Sequence, residues 1–156
     1  MKAFDKLKEA TEFLKLYGIE DTNREAEIIV THCLGIDRTA FYRDNPEIYK
    51  EELEKIDEFL KRRSTREPLQ YILGYVDFHG LKIKVGKGVL IPRPETELLA
   101  EEAIKAVKRE ALSVMRKEKN TELPLNSSLV TRHSSLIILD LCTGSGCLAL
   151  ALAREF

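Results

Sequence analysis

The sequence has little of what marks several specialised protein classes. Its 156 residues include no tryptophan and three cysteines; Cys33, Cys142 and Cys147 are too scattered for a disulfide framework, so we expect a reducing compartment, the cytoplasm. Neither sign of charge predominates, because the sequence has 25 basic and 26 acidic residues. This balance excludes a strongly basic nucleic-acid binder. No apolar run approaches the roughly 20 residues of a membrane span, and the charged start is unlike a signal peptide. We therefore expect neither a nucleic acid nor a membrane as a direct partner.

The first half of the chain carries apolar residues at spacings of three and four, the period of amphipathic helices. Glycine, proline and capping residues divide it, so residues 1–74 are predicted to form a compact bundle of about five short helices. The predicted buried faces are Phe4, Leu7, Thr11, Leu14 and Tyr17; Ala26, Ile29, Val30, Cys33 and Leu34; and Tyr49, Leu53, Ile56 and Leu60.

Local signals predict where these helices begin and end. Gly18 and Gly74 stand where helices stop in a left-handed conformation. Thr22 and Glu25 have the spacing of a capping box. The Asn45-Pro46 pair places a favoured N-cap residue before a proline at the first helical position.

Two groups of polar residues allow more than one interpretation. The basic run of Lys61, Arg62, Arg63 and Arg66 either contacts phosphate or forms the solvated end of a helix, whose dipole attracts cations there; the second is favoured. The neighbouring His32 and Cys33 point to different sides of a helix, and no second ligand pair follows. A structural role is therefore favoured over metal binding, and no metal site is predicted.

The hydrophobic period changes from helical to two after Gly74. Alternating residues around a His79-Gly80 turn predict a β-hairpin, and residues 75–91 are interpreted as a linker. Pro94 is predicted to begin a helix. Residues 108–135 are polar and are predicted to be a flexible insertion. The helix that begins at Pro94 is expected to bury Leu98, Leu99, Ala103, Ala106 and Val107.

The last part of the chain reads as strand, glycine turn and helix. Residues 136–141 are continuously apolar except for Asp140, which is typical of a strand buried in a parallel sheet. The turn at 142–146 and a buried helix over 147–153 follow. This order is the first unit of a nucleotide-binding α/β fold, in which glycines let backbone N–H groups approach a ligand. Cys142 and Cys147 are interpreted as small packing residues.

Three segments occur together in an order that is far more specific than any one of them. They are Arg66-Glu67-Pro68-Leu69-Gln70-Tyr71-Ile72-Leu73-Gly74, Val89-Leu90-Ile91-Pro92-Arg93-Pro94-Glu95-Thr96-Glu97 and Leu139-Asp140-Leu141-Cys142-Thr143-Gly144-Ser145-Gly146. In this combination the chain resembles the peptide chain release factor glutamine methyltransferase family, also called HemK or PrmC. The resemblance covers the chain except the region near 108–135.

The resemblance implies an α plus α/β architecture. Residues 1–74 would be a helical domain that docks the release factor, 75–91 a β-hairpin linker, and 92–156 the start of a Rossmann-like methyltransferase domain. The implied reaction moves a methyl group from S-adenosylmethionine to the glutamine side chain of a Gly-Gly-Gln motif. The implied cofactor residues are Asp140, Cys142, Thr143, Gly144, Ser145 and Gly146, and Pro92, Arg93, Pro94, Glu95 and Thr96 would lie beside cofactor and substrate. Cys142 stands where the family more often has glycine.

The family's Asn-Pro-Pro-Tyr motif, which holds the target amide, is absent from these 156 residues. No catalytic residue is therefore assigned, and the chain is expected to be an inactive fragment, monomeric, whose strand at 136–141 is unstable without parallel partners. Two alternatives stay open. One is a sister methyltransferase that modifies a ribosomal-protein glutamine, and the other is a non-catalytic helical module that binds a partner.

Overall fold

The computed structural model describes residues 1–119, 137–141 and 143–156. The described elements are α1 (Ala3–Leu16), α2 (Thr22–Leu34), α3 (Arg38–Asp44), α4 (Lys50–Ser64), α5 (Leu69–Leu73), β1 (Tyr75–Phe78), β2 (Leu81–Lys84), α6 (Pro94–Lys119) and α7 (Cys147–Glu155). None of the helices in the described ranges combines the length and apolarity of a membrane span.

Backbone packing divides the chain into two compact units. Unit one is Met1–Tyr75 together with Val85–Lys87, and unit two is Val76–Lys84 together with Gly88–Phe156. The chain passes from one unit to the other within the segment that the sequence marks as a hairpin. The functional boundaries predicted at 74 and 91 stay predictions.

Unit one is a bundle of α1 to α5 around one apolar core. α1 packs most extensively on α2, and α4 contacts both. The α2 face is confirmed, because Ala26, Ile29, Val30 and Cys33 are buried. The core also contains Ala3, Ala10, Leu14, Ile19, Phe41, Ile48, Ile56, Phe59, Leu60 and Ile72.

The predicted buried face of α1 is wrong by part of a turn. Phe4 and Tyr17 are 39% and 49% exposed, whereas Ala3, Lys6, Ala10 and Leu14 are buried. The small alanine side chains let neighbouring helices approach α1 closely, which turns the larger aromatic residues towards the rim. Similarly, Tyr49 at the start of α4 is exposed and Phe59 is buried in its place.

Lys6 is buried in unit one, which is rare for a lysine unless its charge is paired. Its Nζ lies 2.6 Å from Asp57 Oδ1 on α4 and 2.7 Å from Glu9 Oε1 on its own helix. Burial works to lower the pKa of Lys6, but hydrogen bonds to Asp57 and Glu9 more than offset it, so the pKa is raised. The charge is thus retained because it is paired on two sides.

Some helix ends follow the predicted signals. At the end of α1 the Gly18 N–H donates to the Lys15 carbonyl and the Ile19 N–H to the Leu14 carbonyl, with Gly18 at φ +66. This is the Schellman arrangement that a glycine permits. Gly74 ends α5 in the same left-handed region.

Asn45 has a different role from the predicted one. It ends α3 at φ +40, and its Oδ1 accepts the Phe4 backbone N–H at 3.0 Å. Helix α4 begins only at Lys50, where the Glu52 carboxylate accepts the Tyr49 N–H at 2.8 Å. The prediction failed because an Asn side chain caps any nearby orphan donor, and here that donor belongs to α1.

The hairpin of unit two is confirmed. β1 and β2 pair in a two-stranded sheet, and the His79-Gly80 turn has φ of +48 and +71, values typical of a type I′ turn. Phe78 and Ile83 are buried with Ala100 of α6 and with Cys147 and Ala151 of α7.

Helix α6 corrects the predicted face and continues to Lys119, so residues 108–119 are helical where a flexible segment was expected. Residues 120–135 lie outside the described residues, and the insertion itself stays a prediction. Leu98 and Leu99 are 63% and 56% exposed, and Ala100 and Ile104 are buried instead. The apolar residues are continuous around this part of the helix, so periodicity alone did not select the face that packs.

Residues 137–141 form no strand, and Ile137, Leu139 and Leu141 are 90%, 77% and 75% exposed. A buried parallel strand is thus not observed there. This agrees with the expectation that a strand without partners for its backbone groups is unstable. The helix predicted after the glycine turn is present as α7, whereas the Rossmann-like sheet is not seen in the described residues.

Candidate functional site

The glycine turn leads directly into α7. The Gly146 N–H donates to the Thr143 carbonyl at 2.8 Å, and Gly144 and Gly146 have φ of +56 and +76. L-residues rarely adopt these values, so glycine at both positions has a conformational reason. Among the described residues, a Cβ built on Gly146 meets Thr143 Oγ1 at 3.9 Å and no other atom within 4 Å.

Asp140 precedes this turn, and one oxygen of its carboxylate has no hydrogen-bond partner among the described residues. This oxygen, Oδ2, is buried. A buried polar atom without a partner is unfavourable unless a ligand or water satisfies it. Asp140 therefore has the unmet acceptor that a ligand with hydroxyl or amine groups requires. Of the other predicted loop residues, Ser145 is half-buried in the turn. Cys142 lies outside the described residues.

The proline-rich segment forms the start of α6. Pro94 is its first residue, and the Thr96 N–H donates to the Arg93 carbonyl at 2.9 Å. Arg93, Pro94 and Glu95 are exposed, whereas Pro92 and Thr96 are half-buried. Glu95 lies in the first turn, where a carboxylate complements the helix dipole.

Helices α6 and α7 pack side by side and point the same way. Ala100 near the start of α6 shares a core with Cys147 at the start of α7. About two turns further along each helix, Lys108 of α6 pairs with Glu155 of α7. Both N-termini therefore lie at one end of unit two. The glycine turn precedes α7 and the Pro92–Thr96 segment contains the start of α6, so both segments lie towards that end.

The other end of α7 is fixed by residues that the sequence analysis did not single out. Arg154 Nη1 donates to the Gly80 carbonyl at 2.9 Å and to the His79 carbonyl at 3.3 Å. Glu155 accepts a hydrogen bond from Lys108, and this bond lowers the pKa of its carboxyl. No periodic signal identifies such residues, because their partners are distant in sequence.

The basic run on α4 neither points to a phosphate site nor forms a simple solvated helix end. Arg62 makes a bidentate pair with Glu67, at 2.9 and 2.7 Å, and donates to the Tyr71 carbonyl. Arg63 makes a bidentate pair with Glu25 on α2, at 2.5 and 3.0 Å. Glu25 thus binds Arg63 instead of closing the capping box predicted with Thr22. These arginines hold α4 to α2 and α5.

An open groove of about 710 Å³ lies on unit one between α1, α2 and α3. Glu27 on its wall accepts hydrogen bonds from Tyr42 Oη, at 2.6 Å, and pairs with Arg38 Nε at 2.7 Å. The bond to Glu27 raises the pKa of Tyr42. This network fixes α3 on α2 and was not predicted from the sequence.

Within the described residues no group of three or more His, Cys, Asp or Glu side chains forms a cation site. His32 instead lies between aromatic rings, with ring centroids 5.8 Å from those of Phe59 and Tyr75. Burial raises the pKa of the adjacent Cys33 thiol to about 11. Both residues are therefore part of the helical packing.

Comparison with known proteins gives two findings. Residues 5–74 match the family model described as the PrmC N-terminal domain. The chain is also 43% identical, over 99% of its length, to the release factor glutamine methyltransferase of Thermodesulfovibrio yellowstonii. It is 35% identical to the proteins of that name from Mycolicibacterium smegmatis and Geobacter sulfurreducens, over 94% and 92% of its length.

The aligned part is 46%, 43% and 42% of these three relatives, so the chain spans under half the length of the curated relatives it matches. The alignment nevertheless includes both units, from the helical bundle to the glycine turn and α7. Residues 5–74 account for the family-model match. On these findings residues 5–74 are similar to the PrmC N-terminal domain, and the chain as a whole is similar to part of the release factor glutamine methyltransferases.

Proposed function

We propose that this chain supplies the helical domain and the first part of the catalytic domain of a protein-glutamine methyltransferase. Its cofactor would be S-adenosylmethionine, and its substrate the glutamine of the Gly-Gly-Gln motif of peptide chain release factors. The observation that carries the proposal is the similarity along 99% of the chain to a relative of that name. On this proposal residues 1–74 dock the release factor and residues 92–156 begin a Rossmann-like domain. Residues 75–91 link these two parts.

The residues of the glycine turn fit the cofactor in three respects. Asp140 offers a buried acceptor that has no partner in the described part of the chain, as ribose hydroxyls or an amino group require. Gly144 and Gly146 permit close approach of a ligand to the backbone, and Gly146 has open space where a Cβ would be. Thr143 and Ser145 add hydroxyl groups to the same turn. Together with Cys142, these residues are the proposed cofactor site.

When it is bound, S-adenosylmethionine supplies an electrophilic methyl group on a sulfonium. The target amide nitrogen is a weak nucleophile because its lone pair is delocalised into the carbonyl, so the protein contributes mainly by positioning. On this proposal the segment Pro92, Arg93, Pro94, Glu95 and Thr96 would lie near the glycine turn, because α6 and α7 begin towards the same end of unit two. It would border the cofactor and the incoming glutamine.

The test is a fusion in which this chain is followed by the C-terminal part of the Thermodesulfovibrio yellowstonii relative that it does not match. We expect the fusion to methylate a release factor, with mass spectrometry of the Gly-Gly-Gln peptide showing a single added methyl. Methylation of a ribosomal-protein glutamine instead would favour the sister enzyme. Binding of the release factor without any methylation would favour a docking module.

Two glycines make a matched pair of variants for this fusion. Gly144→Leu places a side chain at φ +56, where the backbone must approach the cofactor, so we expect methyl transfer to be abolished. Gly86→Ala is the control, because a Cβ there meets none of the described atoms within 4 Å and its φ is not positive. If both variants kept full activity, the glycine turn would not be the cofactor site.

A further inference from the structure

Helix α7 has one end at the proposed cofactor site and the other end fastened to two different elements. Its start, Cys147, follows the glycine turn, while its last turn carries Arg154 and Glu155. Because an α-helix is stiff over a length of about 14 Å, fixing the last turn also fixes where the first turn lies.

The first fastening joins α7 to the hairpin. Arg154 Nη1 lies within hydrogen-bond distance of two successive carbonyls, those of His79 and Gly80, which form the β-turn. The fit is close, because a Cβ built on Gly80 would lie 3.1 Å from that nitrogen. A guanidinium that bonds two carbonyls of one turn defines direction as well as distance.

The second fastening joins α7 to α6. Glu155 accepts a hydrogen bond from Lys108, and Lys108 belongs to the helix that begins with the proline-rich segment. Closer to the helix starts, Ala100 of α6 shares one buried core with Cys147 and Ala151 of α7. The two helices are thus held at their far ends by an ion pair and at their near ends by packing.

We propose that Arg154 and Glu155 are positioning residues that place the glycine turn relative to the Pro92–Thr96 segment, by fastening α7 to the hairpin turn and to α6. This inference rests on the proposed function for the identity of the ligand, S-adenosylmethionine. It adds that the hairpin is a support for the cofactor turn as well as a linker. Neither residue touches the ligand.

The first test measures hydrogen exchange in the 156-residue chain itself. Arg154→Met removes both bonds to the turn, and we expect the hydrogen-bonded amides of 150–153 to exchange about tenfold faster, the factor that follows from a loss of about 1.4 kcal/mol. The amides of α1 and α2 should keep their rates. Lys105→Met is the matched control, because Lys105 pairs with Glu102 on the same helix and fastens no second element. Unchanged exchange at 150–153 in the Arg154 variant would overturn the proposal.

The second test uses the fusion enzyme and separates positioning from folding. A folding defect lowers the concentration of active enzyme and therefore the apparent kcat, whereas a displaced glycine turn raises KM for S-adenosylmethionine. We expect Arg154→Met and Glu155→Gln to raise that KM several-fold with kcat largely kept, and Arg154→Lys to restore part of the loss. A fall in kcat alone would mean a merely structural role. A wild-type fusion without activity would refute the proposed function and leave the exchange test standing.

Discussion

The Arg63–Glu25 pair gives the sharpest test of how unit one is held together. Arg63 is near the end of α4 and Glu25 is in the first turn of α2, and both side chains are largely buried, at 16% and 18% exposure. Arg63→Met keeps much of the side-chain volume and removes the charge. It leaves the Glu25 carboxylate without the two hydrogen bonds that compensate its burial.

The expected loss follows from the burial of the pair. Removing one partner of a fully buried ion pair costs about 3–5 kcal/mol, and exposed pairs contribute roughly 0–1 kcal/mol. Because a small part of both groups still contacts water, we expect Arg63→Met to lower the free energy of unfolding by about 2–3 kcal/mol. Arg63 Nη1 also donates to the Glu67 carbonyl at 3.2 Å, so part of this loss is independent of Glu25.

Urea unfolding followed by tyrosine fluorescence measures unit one selectively. The chain has no tryptophan, and its five tyrosines all lie in that unit. A loss of about 2–3 kcal/mol lowers the midpoint by roughly 1–2 M urea. The control is Arg43→Met, which breaks the exposed pair with Asp44 and should leave the midpoint unchanged within error.

A double-mutant cycle separates the pair from its surroundings. In Glu25→Met/Arg63→Met neither charge is left buried, so the double variant should be more stable than the sum of the two single losses predicts. Strictly additive losses, or a midpoint of Arg63→Met equal to that of wild type, would refute the reasoning. A phosphate-dependent rise in the midpoint that needs Arg63 would instead revive the interpretation of this run as a phosphate contact.

The remaining predictions concern protection, titration and cofactor affinity. Hydrogen exchange should show strong protection in α1, α2 and α4 and none at 137–141; protection at 137–141 in a monomer would contradict the account of the lone strand. The hydrogen bond to Glu27 raises the pKa of Tyr42. This bond therefore stabilises the fold at pH values below the ordinary tyrosine pKa of ~10, and the stabilisation is lost as the pH rises through the raised pKa of Tyr42. The absorbance signal of Tyr42 is obtained by subtracting the titration of a Tyr42→Phe reference. In Glu27→Gln this signal should show a lower pKa for Tyr42 than in wild type, and no change would mean that the bond is absent in solution. Calorimetry should detect no micromolar binding of S-adenosylmethionine to the 156-residue chain, since the segment before the glycine turn lies exposed; micromolar affinity would mean that residues 140–146 suffice.

Local signals in the sequence determined where much of the backbone turns. Gly18 and Gly74 end helices in the left-handed conformation, and His79-Gly80 forms the predicted hairpin turn. These features depend on the conformations open to one or two residues, so neighbours along the chain are enough to predict them. The combination of three short segments likewise predicted the resemblance to release factor glutamine methyltransferases, and the comparisons confirm that resemblance.

The tertiary structure decided which side chains are buried and which charges pair. It placed Lys6 in the core and turned Leu98 and Leu99 outward, and it gave Arg63 a partner 38 positions away in the sequence. Periodicity defines a helix face only to within part of a turn, and the partner of a charge depends on which helices pack.

The candidate site also has one part that the sequence predicted and one part that depends on tertiary packing. The glycine turn was recognisable from residue types, because positive φ values and a helix start leave a local signature. That α6 and α7 run side by side, so that the Pro92–Thr96 segment lies at the same end as this turn, depends on the packing of Ala100 with Cys147 and on the pair of Lys108 with Glu155. Contacts between residues so far apart in the chain leave no periodic pattern, and only the folded unit selects them.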